Sequence, residues 1–146
     1  MLYSISDFWS MVALYTTVYI YLQTFMVPGC FFLNLLIGAF LPFFPALLYI
    51  TVITTLGCTF NYLLSQYVLA PIIRTRLAGR VVAFKTQIAR HRGHLFYYLM
   101  LLRIIPAFPS WAINIACPIV NIPLSTFAMS TAIGFQPQVC LAVSPF

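Results

Sequence analysis

The stretch Leu102–Leu124, LRIIPAFPSWAINIACPIVNIPL, is apolar except for Arg103, Asn114, Asn121 and Ser110, and Pro106, Pro109, Pro118 and Pro123 interrupt it. Four prolines at such spacing exclude one straight spanning helix, because each removes an amide donor and its ring clashes with the preceding turn. Irregular backbone in hydrocarbon leaves peptide groups unpaired, so this segment must be buried in protein or line a wet cavity. A lone arginine at that depth is costly and by default marks a path for something polar.

The sequence around this stretch belongs to a membrane. Of 146 residues, 63% are hydrophobic, 17% aromatic and only 5% charged, and the mean hydropathy of +1.02 is far above that of a soluble domain. The opening residues hold Asp7 but no basic region, and no small-residue cleavage site follows Phe8; we read them as mature sequence and not as a signal peptide. Residues 8–26 form a first spanning candidate, near the ~20 apolar residues a bilayer core requires. Residues 28–44 are too short to cross before Pro42 and Pro45, and Asn34 and Gly38 soften them, the profile of a re-entrant hairpin. Residues 45–70 span, with Gly57, Asn61, Tyr62, Ser65 and Gln66 marking a helix internal to a bundle. A second re-entrant segment covers 95–122, and 123–143 is the last spanning candidate.

The formal charge of +6 is gathered in one window holding Arg74, Arg76, Arg80, Lys85, Arg90 and Arg92. With Ile73, Leu77, Val81, Phe84 and Ile88 at helical spacing, residues 72–92 read as a basic amphipathic helix whose cations attract anionic head groups. The positive-inside rule puts residues 72–94, and with them the amino terminus, in the cytosol. The aromatic residues lie elsewhere, so nucleic acid is excluded as a partner. Cys30, Cys58, Cys117 and Cys140 are scattered in apolar sequence and read as small hydrophobes. His91 and His94 lack acidic or cysteine neighbours, so no metal and no cofactor is expected. One aspartate and two surface histidines supply no catalytic set, which excludes an enzyme.

The proline segments also echo one another. Val27-Pro28-Gly29 is answered by Phe108-Pro109-Ser110, Pro45 by Pro123, and Gly57 by Gly134. Joined to opposed entry sides, this predicts an all-α membrane protein of spanning helices and two opposed re-entrant hairpins in an inverted-repeat arrangement, with polar groups meeting at mid-depth.

Leu22-Gln23-Thr24-Phe25-Met26-Val27-Pro28-Gly29 and the run Leu102 to Asn114, with Arg90-His91-Arg92-Gly93-His94, Pro118 to Leu124, Gly134 and Pro137, resemble the signature of the DedA/VTT superfamily of SNARE-associated Golgi proteins. The pattern is most similar to the transmembrane protein 41 branch, over roughly residues 15–143. The resemblance implies an ATP-independent phospholipid scramblase of the endoplasmic reticulum that supports autophagosome, lipid-droplet and lipoprotein formation. Arg103, Asn114 and Asn121 would line the lipid path, and Pro28, Gly29, Pro42, Pro106, Pro109, Pro118 and Pro123 would shape the hairpins. The competing readings are an ion-coupled transporter of a small anion or lipid-linked solute, and an inactive structural membrane protein. Many bacterial relatives have an acid where this chain has Cys30, so proton coupling through a buried carboxylate has no candidate. Eukaryotic relatives usually carry a further spanning segment at each end. This leads to the expectation of a truncated or minimal form, whose polar groups a homo-oligomer or a VTT-family partner would cover.

Overall fold

The computed structural model describes residues 4–105 and 109–144, and in them every regular element is helical. The elements are α1 (Ile5–Thr24), α2 (Cys30–Phe40), α3 (Phe43–Leu64), α4 (Ala70–Arg76), α5 (Ala78–Arg90), α6 (Leu95–Ile104), α7 (Ser110–Ile119), α8 (Leu124–Gly134) and α9 (Gln136–Val143).

Proline position sets most helix starts. Pro42, Pro109 and Pro123 are the residues preceding α3, α7 and α8, where a fixed φ is already suited and no intrahelical donor is lost. Pro71 and Pro137 lie in the first turns of α4 and α9. Pro118 lies inside α7, but in its last turn. Pro106 is outside the described residues. Glycine does a different task at Gly29, whose φ of 148° opens α2 and suits a residue without Cβ.

α3 is the axis. It continues through a π turn at Ser65–Leu69 into α4, where the Ala70 amide reaches back to the Ser65 carbonyl. Such a turn takes up the register change that Pro71 imposes on the ladder. Phe43–Arg76 is thus one 34-residue run, and the one helix among the described residues long and apolar enough to cross a membrane. Its ~51 Å exceeds a ~30 Å hydrocarbon core, so one end projects. Leu48, Val52, Leu56 and Phe60 form an exposed stripe at four-residue spacing, while Ala46, Ile50, Ile53, Gly57 and Asn61 are buried on the other side. A helix apolar outside and packed inside is what lipid surroundings require.

Contacts fix directions. Thr16 meets Tyr49, Tyr19 meets Thr54, and Gln23 meets Cys58, so α1 lies parallel to α3. Leu95 and Phe96 share a cleft with Ile122 and Pro123, and Arg103 meets Gly134, so α6 lies parallel to α8. Tyr62 donates to the Ile122 carbonyl and Gln136 to Thr51, so α8 and α9 run antiparallel to α3. Two three-helix units result, α1–α2–α3 and α6–α7–α8, each with a short middle helix and opposite in direction.

Three expectations change. Residues 72–92 are not one helix: the backbone breaks at Leu77 (φ −124°, ψ 35°), freeing Ile73 and Val81 to pack with Ala70 and Ile119 while Leu77 and Phe84 stay exposed. Residues 123–143 divide at Phe135 into α8 and α9, because Pro137 cannot donate to the Ile133 carbonyl. The amino-terminal end and the basic block, expected on one side, lie at opposite ends, since α1 runs parallel to α3. Periodicity reports a buried face but not a direction.

A Cβ on Gly38 would sit 3.0 Å from the Val143 backbone and 3.4 Å from the Ala142 carbonyl. Gly38→Leu is therefore expected to push α2 off α9 and destabilise the protein by about 1–3 kcal/mol, read as a lower melting temperature in detergent. Gly79→Leu, in open space, should leave it unchanged.

Candidate functional site

α2 and α7 are 11 and 10 residues long, about 15 Å each, which is half of a hydrocarbon core. Both begin at one central cavity of about 350 Å³, lined by Gly29, Cys30 and Phe31 at one helix start and Ser110 and Trp111 at the other. Neither start has a side-chain cap among the described residues. The positive ends of two short helices thus face one space, an arrangement that favours negative charge. Asn34, Asn114, Gln23 and Gln138 add polar walls, with Tyr19, Leu22 and Val139 between them.

A hydrogen-bonded chain crosses four helices behind this cavity. Arg103 Nη2 in α6 donates to Asn114 Oδ1 in α7 at 3.1 Å. Asn114 Nδ2 donates to Cys58 Sγ in α3 at 3.6 Å. Cys58 also accepts from Gln23 Nε2 of α1 at 3.1 Å. Arg103 is only 2% exposed, and its guanidinium carbon lies 4.9 Å from the Phe127 ring and 5.2 Å from that of Phe135. Such cation–π contacts offset desolvation by about 2 kcal/mol when water is excluded. They do not complete it: Nε and Nη1 have no hydrogen-bond partner among the described residues, and an unpaired buried charged donor is costly.

Glycines let these polar residues in. A Cβ at Gly57 would stand 2.7 Å from the Gln23 side chain, and one at Gly134 would stand 3.0 Å from Arg103 Cβ. Gln23 on Gly57 and Arg103 on Gly134 are therefore equivalent contacts in the two units.

The structure brings Arg103 and Asn114 together but not Asn121. Asn121, with φ 60°, ends α7 far from the cavity, where its Oδ1 accepts from Arg74. Arg74 also donates to the carbonyls of Pro118 at 2.9 Å and Ile119 at 3.3 Å. It satisfies the orphan carbonyls of a helix end and complements the dipole there, so it is tied to the protein and not free for head groups. Sequence reasoning missed Cys58, Gln138, Phe127 and Phe135. Gln23 was readable, since Leu22-Gln23 and Leu102-Arg103 precede the two breaks alike.

Comparison with known proteins follows this geometry. The VTT domain model matches residues 27–146. Transmembrane protein 41B of Xenopus tropicalis is 42% identical over 129 residues, which is 88% of this chain and 46% of that protein. The Homo sapiens protein of the same name is 40% identical over 88% of this chain and 44% of its own length. That of Danio rerio is 39% identical over 89% and 46%. The chain spans a little under half the length of these relatives. No solved structure matches.

Asn114→Leu strips Arg103 of its side-chain acceptor and should destabilise the fold by about 1–3 kcal/mol, measured as a fall in melting temperature that is smaller when the same change is made in Arg103→Met. Cys30 lines the cavity, whereas Cys58 and Cys117 are buried. In single-cysteine forms, a small water-soluble thiosulfonate should modify Cys30 at least tenfold faster than Cys58, an order-of-magnitude reading of accessibility; equal rates would mean a dry cavity.

Proposed function

Because the chain belongs to the VTT-domain family, we propose that it is an ATP-independent phospholipid scramblase, in which head groups pass the central cavity while acyl tails stay in lipid. The observation that carries this reading is the pairing of two half-helix starts with a buried arginine, where neither start has a side-chain cap and two guanidinium donors have no partner among the described residues. Moving a phosphate through hydrocarbon requires desolvating a charge, which is prohibitive without compensation. Helix ends and a guanidinium supply that compensation at fixed positions, with no reorganisation as the ligand arrives.

In this reading the two units are inverted repeats, with α2 and α7 as membrane re-entrant halves that enter from opposite sides and stop at mid-depth. Their length and their opposed directions support it, as does the rule that non-helical backbone at depth must line a cavity. Asn114 is the positioning residue, which holds Arg103 Nη2 while leaving Nε and Nη1 for phosphate. Asn121 and Arg74 belong to the framework of the path and not to its lining. The basic helices lie at the cytosolic face, and the amino-terminal end of α1 at the other. The family resemblance supports the endoplasmic reticulum as the site, and lipid supply to autophagosomes, lipid droplets and lipoproteins as the purpose.

The test is reconstitution in liposomes with fluorescent phospholipid, followed by a membrane-impermeant reductant. Scrambling exposes both leaflets, so fluorescence should fall well past the half-way plateau of empty vesicles. Arg103→Met, close in volume, should slow the second phase by about tenfold or more, the loss of one charge-assisted contact of ~1.5–3 kcal/mol. A plateau at half with the unaltered, folded chain would overturn the proposal. Transport that appears only under an ion gradient would replace it with a coupled carrier.

A further inference from the structure

Away from the central cavity, a cleft of about 960 Å³ opens between α5 and the turn joining α7 to α8. We propose that it is a fixed seat for the phosphate of an anionic phospholipid, separate from the path through the middle.

One wall carries Lys85 of α5 and Arg92 of the short 3-10 turn that follows once α5 has ended at Arg90. The facing wall is the start of α8, where Pro123 and Thr126 line the cleft and no side chain among the described residues caps the helix. Two cations, a hydroxyl and a helix start thus converge on one space, and each favours an anion. No acidic side chain faces them among the described residues: the chain's single acidic side chain, Asp7, lies in the first turn of α1, at the opposite end of the bundle. Lys85 is half-buried, so part of its hydration is already lost, which raises the benefit of a direct counter-charge.

The lining also says what the anion is attached to. Leu95, Phe96 and Ile122 make the cleft floor apolar, which suits a glycerol and acyl stem and gives nothing to a free ion. Arg80 and Arg90, on the same helix, do not line it, so the seat uses a subset of the basic residues and not the total charge. Arg74 is spent on the α7 carbonyls, which holds the facing wall in place.

The experiment reads binding without transport, so it stands or falls apart from scrambling. The full chain, in phosphatidylcholine nanodiscs doped with photoactivatable phosphatidic acid, is irradiated and its labelled peptides are mapped. Labels should fall within residues 82–96 and 120–126, and unlabelled phosphatidic acid should compete while phosphatidylcholine does not. Lys85→Gln with Arg92→Gln should cut labelling about tenfold or more, given that each cation near the surface is worth a factor of about five. Lys85→Arg with Arg92→Lys should keep it, and so should Arg80→Gln with Arg90→Gln. An equal loss in the Arg80/Arg90 pair would reduce the site to diffuse attraction and overturn the proposal. Displacement by inorganic phosphate at the concentration of competing lipid would overturn the lipid assignment. The map on the unaltered chain decides even if the double variant fails to fold, since labels elsewhere refute the seat.

Discussion

A guanidinium buried without its full set of acceptors is the constraint around which this bundle is arranged. Arg103 can lie at depth only because Phe127 and Phe135 face its charge, Asn114 takes one donor, and Gly134 yields the space for its stem. These partners come from three segments, α7, α8 and the turn into α9, so the arginine fixes their position relative to α6. Asn114 passes the constraint on through Cys58 to Gln23 and so to α1 and α3. A half-satisfied polar network in a low dielectric is a liability for stability. Its retention directly behind a cavity onto which two helix starts open is what gives the incompleteness a functional reading.

The two units solve one packing problem twice with different chemistry. Each sets a long side chain against a glycine on the parallel neighbour, and each starts a short helix at the same cavity. In one the side chain is the neutral Gln23, which ends on a thiol; in the other it is charged Arg103, two of whose donors have no partner among the described residues. The architecture is therefore nearly symmetric while the electrostatics are not. Buried positive charge comes from one unit alone, and the other cations, Arg74 to Arg92, lie beyond α3.

Much of this was legible in the residues. Arginine and proline in apolar sequence identified the segment, because their penalties in hydrocarbon are large and independent of context. Asn61, Tyr62 and Ser65 pointed inward as expected and all three are buried, whereas Gln66, read as part of the same set, is exposed. The structure sets Asn121 apart from Arg103 and Asn114 for a physical reason: its partner, Arg74, is 47 positions earlier, and no local pattern reports such a pair. The direction of α1 failed likewise, since a buried stripe reads the same whichever way a neighbour runs. The break at Leu77 is set by tertiary packing of Val81 and Ile73 on Ile119, against a continuous helical pattern.

The parallel pairing of α1 with α3 also constrains how the chain reaches its folded state. Asn61 donates to the Thr24 carbonyl and Gln23 to Cys58, across separations of 37 and 35 residues. When α1 first enters the membrane, those partners have not yet been synthesised, and α2, which follows it, is too short to hold it across the bilayer. The polar groups that α1 and α3 satisfy on one another are thus unpaired in either helix alone, so this seam forms only once both helices are present.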